Sequence, residues 1–323
     1  MSDVLALKYR PQDFSEVIGQ DGTVKQLESA LTKGTLGHAL IFAGTRGCGK
    51  TTSARIVARL LNPELSEAEM SMVVSEVDAA SNTGVDSVRE MIEGIRYSSK
   101  GHKVIILDEA HMLSKNAFNA LLKTLEEPPP NTTFILSTTE PHKLIPTVRS
   151  RCALYEFTDV DTDTLNEYYK QVSEKEGLSL SSEVIHDVAI RAEGSVRDGL
   201  TLLQKYLSGE DVESNASVYF DLVSSLYAAD LATSLELVGN LRKKEDARVI
   251  IQTLGKWWYY FSLENFGMKT PARQHLPEHA PVFDLNHLQN LFNICLDVER
   301  NFTATPNSKS VLEMGIIRMS LIT

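Results

Sequence analysis

An α/β region followed by an all-helical region is the fold class this sequence predicts. Two observations carry the prediction. From the N-terminus to about Tyr155, short apolar runs rich in branched residues alternate with helix-like runs. Beyond Tyr155 the β signals fade and only helical patterns continue. Strand–helix alternation implies a parallel sheet covered by helices on both faces, because parallel strands need a crossover that a helix usually supplies.

The elements follow in order. Leu40–Ala43, Val73–Val77, Val104–Leu107 and Phe134–Leu136 are the predicted buried strands. Thr51–Leu61 places Ala54, Val57, Ala58 and Leu61 on one helical face, and Asn62-Pro63 stops it. Asn116–Glu127 does the same with Phe118, Leu121, Leu122 and Leu125, and Pro128-Pro129-Pro130 stops it. Asp161–Gly177, Ser182–Glu193 and Ser195–Leu207 form a small helical unit, and polar Ser208–Ser214 is the predicted linker. Ser217 to Thr323 is helical apart from a predicted loop, Gly267–Asp284, which carries Pro271, Pro277 and Pro281. The run Trp257–Phe261 puts aromatics all round one helix, which fits a packed helical core better than a base-stacking platform.

Composition excludes several classes. The chain has 323 residues, 42% hydrophobic and 23% charged, which suits two or three globular domains. Its three cysteines, Cys48, Cys152 and Cys295, are too few and too scattered for a disulfide framework or a zinc knuckle. His102 and His111 have no cysteine or histidine at metal-ligand spacing. No run reaches the roughly 18 apolar residues of a membrane helix, and Met1–Arg10 lacks a signal-peptide core. A reducing, cytoplasmic setting is therefore expected, with no membrane partner. The net charge of −11 speaks against a nucleic-acid binder, since phosphate affinity comes from Lys and Arg.

Two motifs carry chemistry. Gly44-Thr45-Arg46-Gly47-Cys48-Gly49-Lys50-Thr51 fits the phosphate-loop pattern and lies between a predicted strand and a predicted helix. Its glycines let backbone N–H groups point at phosphate oxygens, and the helix N-terminus adds positive potential. Lys50 is placed to reach the β- and γ-phosphates, and the Thr51 hydroxyl to ligate Mg²⁺. The second motif is Val104–Leu107 followed by Asp108-Glu109. Acids at the carboxyl end of a strand lie beside a phosphate loop in open α/β sheets. Asp108 is the expected second Mg²⁺ ligand, and Glu109 the group that orients the attacking water.

Further stretches accompany these motifs: Lys8-Tyr9-Arg10-Pro11 with Phe14, Val17-Ile18-Gly19-Gln20, Asp108–Ser114, Phe118–Pro129, Thr138-Thr139-Glu140-Pro141, Ser150-Arg151-Cys152 and Gly194–Asp198. Together they resemble the AAA+ ATPase subunits of sliding-clamp loaders, of the bacterial DNA polymerase III gamma/tau family. The likeness covers about residues 4–207, with a weaker one at Asn307–Leu321. It implies an AAA+ nucleotide-binding α/β domain over 1–158, a helical lid over 159–209 and a helical oligomerisation collar over 210–323. It also implies ATP and Mg²⁺ as cofactors. The implied partners are other loader subunits in a pentameric ring or spiral, the sliding clamp and primer–template DNA. Two departures stand out. The family's four-cysteine zinc module is missing, since Asn62–Val73 passes straight to the next strand without cysteine, so zinc is not expected. The chain also stops at Thr323 without the family's long tail, which suggests a bacteriophage or compact replisome.

The resemblance assigns further residues. Gly44, Thr45, Arg46, Gly47, Cys48, Gly49, Lys50, Thr51 and Thr52 match the nucleotide loop. Thr139 matches the group that senses the γ-phosphate, with Thr138 as the adjacent candidate. Arg151 matches the arginine finger that acts on the next subunit's ATP. Arg197 matches the lid arginine that contacts ATP in its own subunit; Ser195 would cap its helix, with Val196, Leu200, Leu203 and Leu207 facing the core. Tyr9 and Arg10 match a segment packed around the nucleotide. Val17 and Ile18 either lie against adenine or belong to the core. Asn82, Thr83, Arg89 and Lys115 are either DNA contacts or solvated residues. If DNA is a partner, the basic groups are expected on an inner face and the acidic surplus outside. Two other classes remain: another AAA+ motor on DNA, such as a branch-migration ATPase, and a non-catalytic assembly subunit that binds nucleotide for structure alone.

Overall fold

The computed structural model describes residues 4–81, 84–95, 101–178, 180–208, 216–243, 245–268, 270, 284–302 and 307–322. They belong to two units, Met1–Val212 and Glu213–Thr323. The first unit opens with α1 (Leu5–Lys8), α2 (Asp21–Thr32), β1 (Ala39–Ala43), α3 (Lys50–Leu60) and α4 (Glu67–Val73). It continues through β2 (Val74–Asp78), α5 (Val85–Ile95), β3 (Lys103–Asp108), α6 (Lys115–Glu126) and β4 (Thr132–Thr138). It closes with α7 (Pro146–Arg149), β5 (Ala153–Glu156), α8 (Thr162–Lys175), α9 (Ser182–Arg191) and α10 (Val196–Leu207).

All strand pairings are parallel, in the order β2-β3-β4-β1-β5. Side chains alternate across the strands and so sort into two cores. Ile41, Ile105, Leu107, Phe134 and Leu136 face Phe118, Leu121 and Leu125 of α6 on one side. Leu40, Phe42, Val104, Ile106 and Ile135 face Leu27 of α2 and Ala54, Val57 and Ala58 of α3 on the other. The continuous apolar runs of the predicted strands reflect burial on both faces.

Three expectations are corrected. β5 was not predicted, because only Tyr155 of its residues is buried and no apolar run marks it. It exists through pairing with β1, with Ile41 opposite Leu154. Residues 62–73 do not run straight into a strand: Glu67–Val73 is helical. A capping box starts that helix, with Ser66 Oγ accepting from Glu69 N at 3.4 Å and Glu69 Oε2 accepting from Ser66 N at 2.9 Å. Val73, predicted to open the strand, therefore closes α4 instead.

The helices α8, α9 and α10 pack around Leu165, Tyr169, Val188, Leu200 and Leu203. Asp161, Ser181 and Ser195 cap their N-termini. The N-terminal segment is tied to the same cluster: Leu5 is buried in it, and Leu5 N donates to Gln204 Oε1 at 2.8 Å. The second unit holds α11 (Ala216–Tyr227), α12 (Leu231–Leu241), α13 (Ala247–Glu264), α14 (Leu285–Asn301) and α15 (Ser308–Ser320). Trp257, Trp258 and Phe261 lie in its core with Leu288, Leu291 and Ile316, while Tyr259 is exposed. The aromatic run is thus mainly core. Most of the predicted linker and most of the predicted loop, residues 269 and 271–283, fall outside the described residues. None of the described helices is long and apolar enough to cross a membrane.

Gly199 of α10 gives a test of this packing. A Cβ there would sit 2.0 Å from Tyr169 Oη. That hydroxyl is pinned, donating to Ser195 O at 3.1 Å. Ala normally gains about 1 kcal/mol over Gly in a helix. Here Gly199→Ala is expected to destabilise the chain by about 1–3 kcal/mol through overpacking. Urea denaturation checks the sign.

Candidate nucleotide-binding site

Residues Gly44–Gly49 turn the chain from β1 into α3. Gly47 has φ +78, and a Cβ on it would lie 2.0 Å from Ser195 Oγ. A Cβ on Gly44 would lie 2.2 Å from the Phe157 carbonyl oxygen. Both positions therefore need glycine for close approach, and Gly47 for its backbone as well. The Thr45 hydroxyl donates to the Asp159 carboxylate, so the loop is fastened at the chain's exit from β5.

Lys50 is buried, and its ammonium donates to the carbonyls of Gly44 at 2.9 Å and Thr45 at 2.6 Å. The loop is thus curled around its own cation. The Cys48 thiol donates to Thr45 O at 2.9 Å. Burial pushes that thiol up, with Lys50 pulling the other way, so it stays protonated as a packing group.

The acids stand beside this loop. Asp108 Oδ2 accepts from Thr51 Oγ1 at 2.9 Å, and Oδ1 accepts from Glu109 N at 3.1 Å. A hydroxyl and a carboxylate side by side are hard oxygen donors of the kind Mg²⁺ takes together with phosphate oxygens and water. Glu109 has left-handed backbone, φ 46 and ψ 44. That conformation costs about 1–3 kcal/mol in a non-glycine residue and is concentrated at functional sites. Glu109 Oε2 accepts from Thr139 Oγ1 at 3.3 Å. Thr138 is fully buried, and its Oγ1 accepts from Glu140 N at 3.0 Å. Of the two hydroxyls, Thr139 is the one bonded to Glu109.

A cleft of about 410 Å³ opens over the phosphate loop, Asp108 and Glu109, with Thr138 and Thr139 outside its lining. Arg10, Arg46, Gly47, Cys48, Gly49, Lys50, Thr51, Thr52, Asp108, Glu109 and Arg197 line its polar part. Tyr9, Pro11, Val17, Ile18 and Tyr168 line its apolar part. Val17 and Ile18 also belong to the cores beneath. Gly44 and Thr45 sit behind the lining, holding Lys50. Burial pushes the Arg10 guanidinium down, and Arg55 and Arg197 nearby push it further. The Tyr9 phenol is raised to about 12 by burial and by its bond to Glu176 Oε1 at 2.5 Å.

Some predicted residues lie elsewhere. Arg151 is off the cleft: it pairs with Glu126 Oε1 at 2.5 Å and donates to Thr147 O at 2.7 Å. Arg89 and Lys115 are exposed, on α5 and at the start of α6. Asn82 and Thr83 fall outside the described residues. Other lining residues were missed by the sequence reading, among them Asp78 and Tyr168. Asp78 ends β2 opposite Asp108, and an acid closing a predicted strand was the available signal. Tyr168 had none, because only the packing of α8 brings it there. Among the described residues no group of three His, Cys, Asp or Glu side chains is placed to hold a metal ion.

The family model described as DNA polymerase III, delta subunit, matches residues 19–161. The chain is 38% identical to DNA polymerase III subunit tau of Bacillus subtilis over 248 residues, covering 70% of this chain and 44% of that protein. It is 35% identical to the tau subunit of Escherichia coli over 264 residues, covering 76% and 41%. It is 39% identical to the gamma subunit of Buchnera aphidicola over 218 residues, covering 62% and 60%. The chain thus spans less than two thirds of the length of these relatives. Among solved structures, the Holliday junction branch migration motor RuvB of Thermotoga maritima superposes with a TM-score of 0.51 at 22% identity, covering 62% of this chain and 65% of that one. That likeness shows a shared fold and nothing beyond it. The sequence matches are closer: over 62–76% of its length the chain is 35–39% identical to these DNA polymerase III gamma and tau subunits.

Proposed function

We propose that this chain is an ATP-hydrolysing subunit of a replication clamp loader. The observation that carries the reading is the convergence of Lys50, Thr51, Asp108, Glu109 and Arg197 on one cleft. The backbone N–H groups of the phosphate loop and the α3 N-terminus cradle the phosphates. Lys50 leaves the Gly44 and Thr45 carbonyls for the β- and γ-phosphates. Thr51 and Asp108 would hold Mg²⁺, which supplies charge neutralisation on those phosphates. Glu109 takes the proton of a water whose oxygen attacks the γ-phosphorus. The bond to the β-phosphate oxygen breaks, and ADP and phosphate leave. Phosphoryl transfer rests on positioning and electrostatics, which these groups provide. Arg197 and Arg10 add positive charge from the lid and the N-terminal segment, and Thr139 holds Glu109.

Arg151 lies off its own cleft, which supports action on the nucleotide of a neighbouring subunit. In this reading residues 1–158, 159–209 and 210–323 are motor, lid and collar, and subunits form a pentameric ring or spiral. ATP binding favours the state that grips and opens the clamp, and hydrolysis at primer–template DNA releases it. Such coupling requires that ATP bind the two states unequally. Arg89 and Lys115 are the described candidates for phosphate contacts with DNA. The setting proposed is the cytoplasm. The branch-migration reading shares the fold alone, whereas the gamma and tau identities of 35–39% favour the loader.

Three outcomes test the proposal. Glu109→Gln is expected to keep ATP affinity and to lower turnover about 100-fold or more, as loss of a general base does. Fluorescent-nucleotide titration and phosphate release measure the two effects. Arg151→Ala is expected to leave binding intact and to cut hydrolysis by about 1,000-fold, the scale of an arginine finger. The parental rate in this variant would remove it from that role. The purified assembly is expected to hydrolyse ATP fastest with primed DNA and its clamp together. An ATPase indifferent to the clamp would rule out the loader reading.

A further inference from the structure

His111 has no role in the steps above. It follows the left-handed turn at Glu109, in the short 3₁₀ segment Ala110–Met112, and its side chain is only 8% exposed. Its Nδ1 lies 3.1 Å from Thr138 Oγ1 and 3.5 Å from Glu109 Oε2. Its Nε2 lies 3.4 Å from Glu140 Oε1. A buried imidazole thus stands between two carboxylates from different parts of the chain. One of them is the proposed base.

The far side of this arrangement is anchored. Lys143 Nζ donates to Glu140 Oε1 at 2.8 Å, and His142 Nε2 lies 3.7 Å from Glu140 Oε2. The bond from Lys143 holds the Glu140 carboxyl below its usual range, so it stays ionised. Thr138 is fixed in turn, because its hydroxyl accepts from the Glu140 amide. The ring is therefore held by the end of β4 and the turn after it, and it meets Glu109 on the oxygen that also accepts from Thr139.

We propose that His111 is a positioning residue for Glu109. A glutamate has three rotatable bonds, and ordering it costs rotamer freedom. The ring and the Thr139 hydroxyl meet that cost before substrate binds, holding the carboxylate where it must take the water's proton. His111 does not line the cleft, so its loss is expected to move turnover rather than affinity. The inference rests on the ATPase reading above.

The test compares three variants of the full chain, purified with the subunits it assembles with. His111→Asn keeps an amide nitrogen near the Nδ1 position, facing Thr138 and Glu109. His111→Gln keeps one near Nε2, facing Glu140, and His111→Ala keeps neither. His111→Ala and His111→Gln are expected to lower kcat about 10- to 100-fold, the effect of small misplacement of a reacting group. KM for ATP and fluorescent-ADP affinity stay at parental values, and His111→Asn recovers most of kcat. Parental kcat in His111→Ala, a raised kcat, or recovery by Gln instead of Asn overturns the proposal while leaving the ATPase reading intact. A drop in nucleotide affinity matching the drop in kcat also overturns it, since that is the mark of a packing role. If His111→Ala does not fold, the contrast between Asn and Gln decides alone. A parental assembly that hydrolyses no ATP overturns the functional reading, and the role of His111 with it.

Discussion

Parallel pairing of β4 with β1 on one side and β3 on the other brings the carboxyl ends of three strands to one edge of the sheet. The site depends on that register. Ala43 at the end of β1 delivers the phosphate loop. Asp108 at the end of β3 lies within 2.9 Å of the Thr51 hydroxyl, although the two are far apart in sequence. Thr138 and Thr139 at the end of β4 reach His111 and Glu109. A slip of one residue would turn each strand's core set toward the other face, so burial of both faces holds the register tightly. The same constraint that builds two cores therefore also aligns hydroxyl, carboxylate and ammonium.

Helix α10 and the segment leading into α8 are joined to this edge by contacts that leave little room. Ser195 occupies the space a Cβ on Gly47 would need, and Asp159 is bonded to Thr45. The N-terminal segment closes the other side, with Lys8 Nζ and Tyr9 Oη both donating to Glu176 Oε1 at 2.7 and 2.5 Å. The cleft is consequently walled by the phosphate loop, by the segment before α2 and by α8 and α10. A ligand filling the cleft would meet all of these segments at once.

Charge behaves locally. The whole chain carries −11, yet Arg10, Arg46, Lys50 and Arg197 face one cleft. A sum over the chain says little about the potential at a concave site, where nearby cations and a helix N-terminus dominate. The acidic balance that speaks against a nucleic-acid binder is thus no obstacle to a phosphate ligand in this cleft.

The residues themselves determined the buried strands, the phosphate loop, the paired acids and the Ser195 cap of α10. Those are short-range signals: alternation along one strand, spacing within one loop, a side chain bonding an amide three residues on. Tertiary structure alone decided the rest. β5 is recruited by its partner and has no apolar run of its own. The helix at Glu67–Val73 came from a capping box inside a stretch read as a passage between elements. Tyr168 reaches the cleft because α8 packs there, Arg151 turns to Glu126 away from it, and His111 meets Glu140 across the sheet edge. Each of these contacts joins residues that only strand pairing or helix packing brings together. No pattern within a few residues can encode them, and for that reason the motif residues were legible in the sequence while their supports were not.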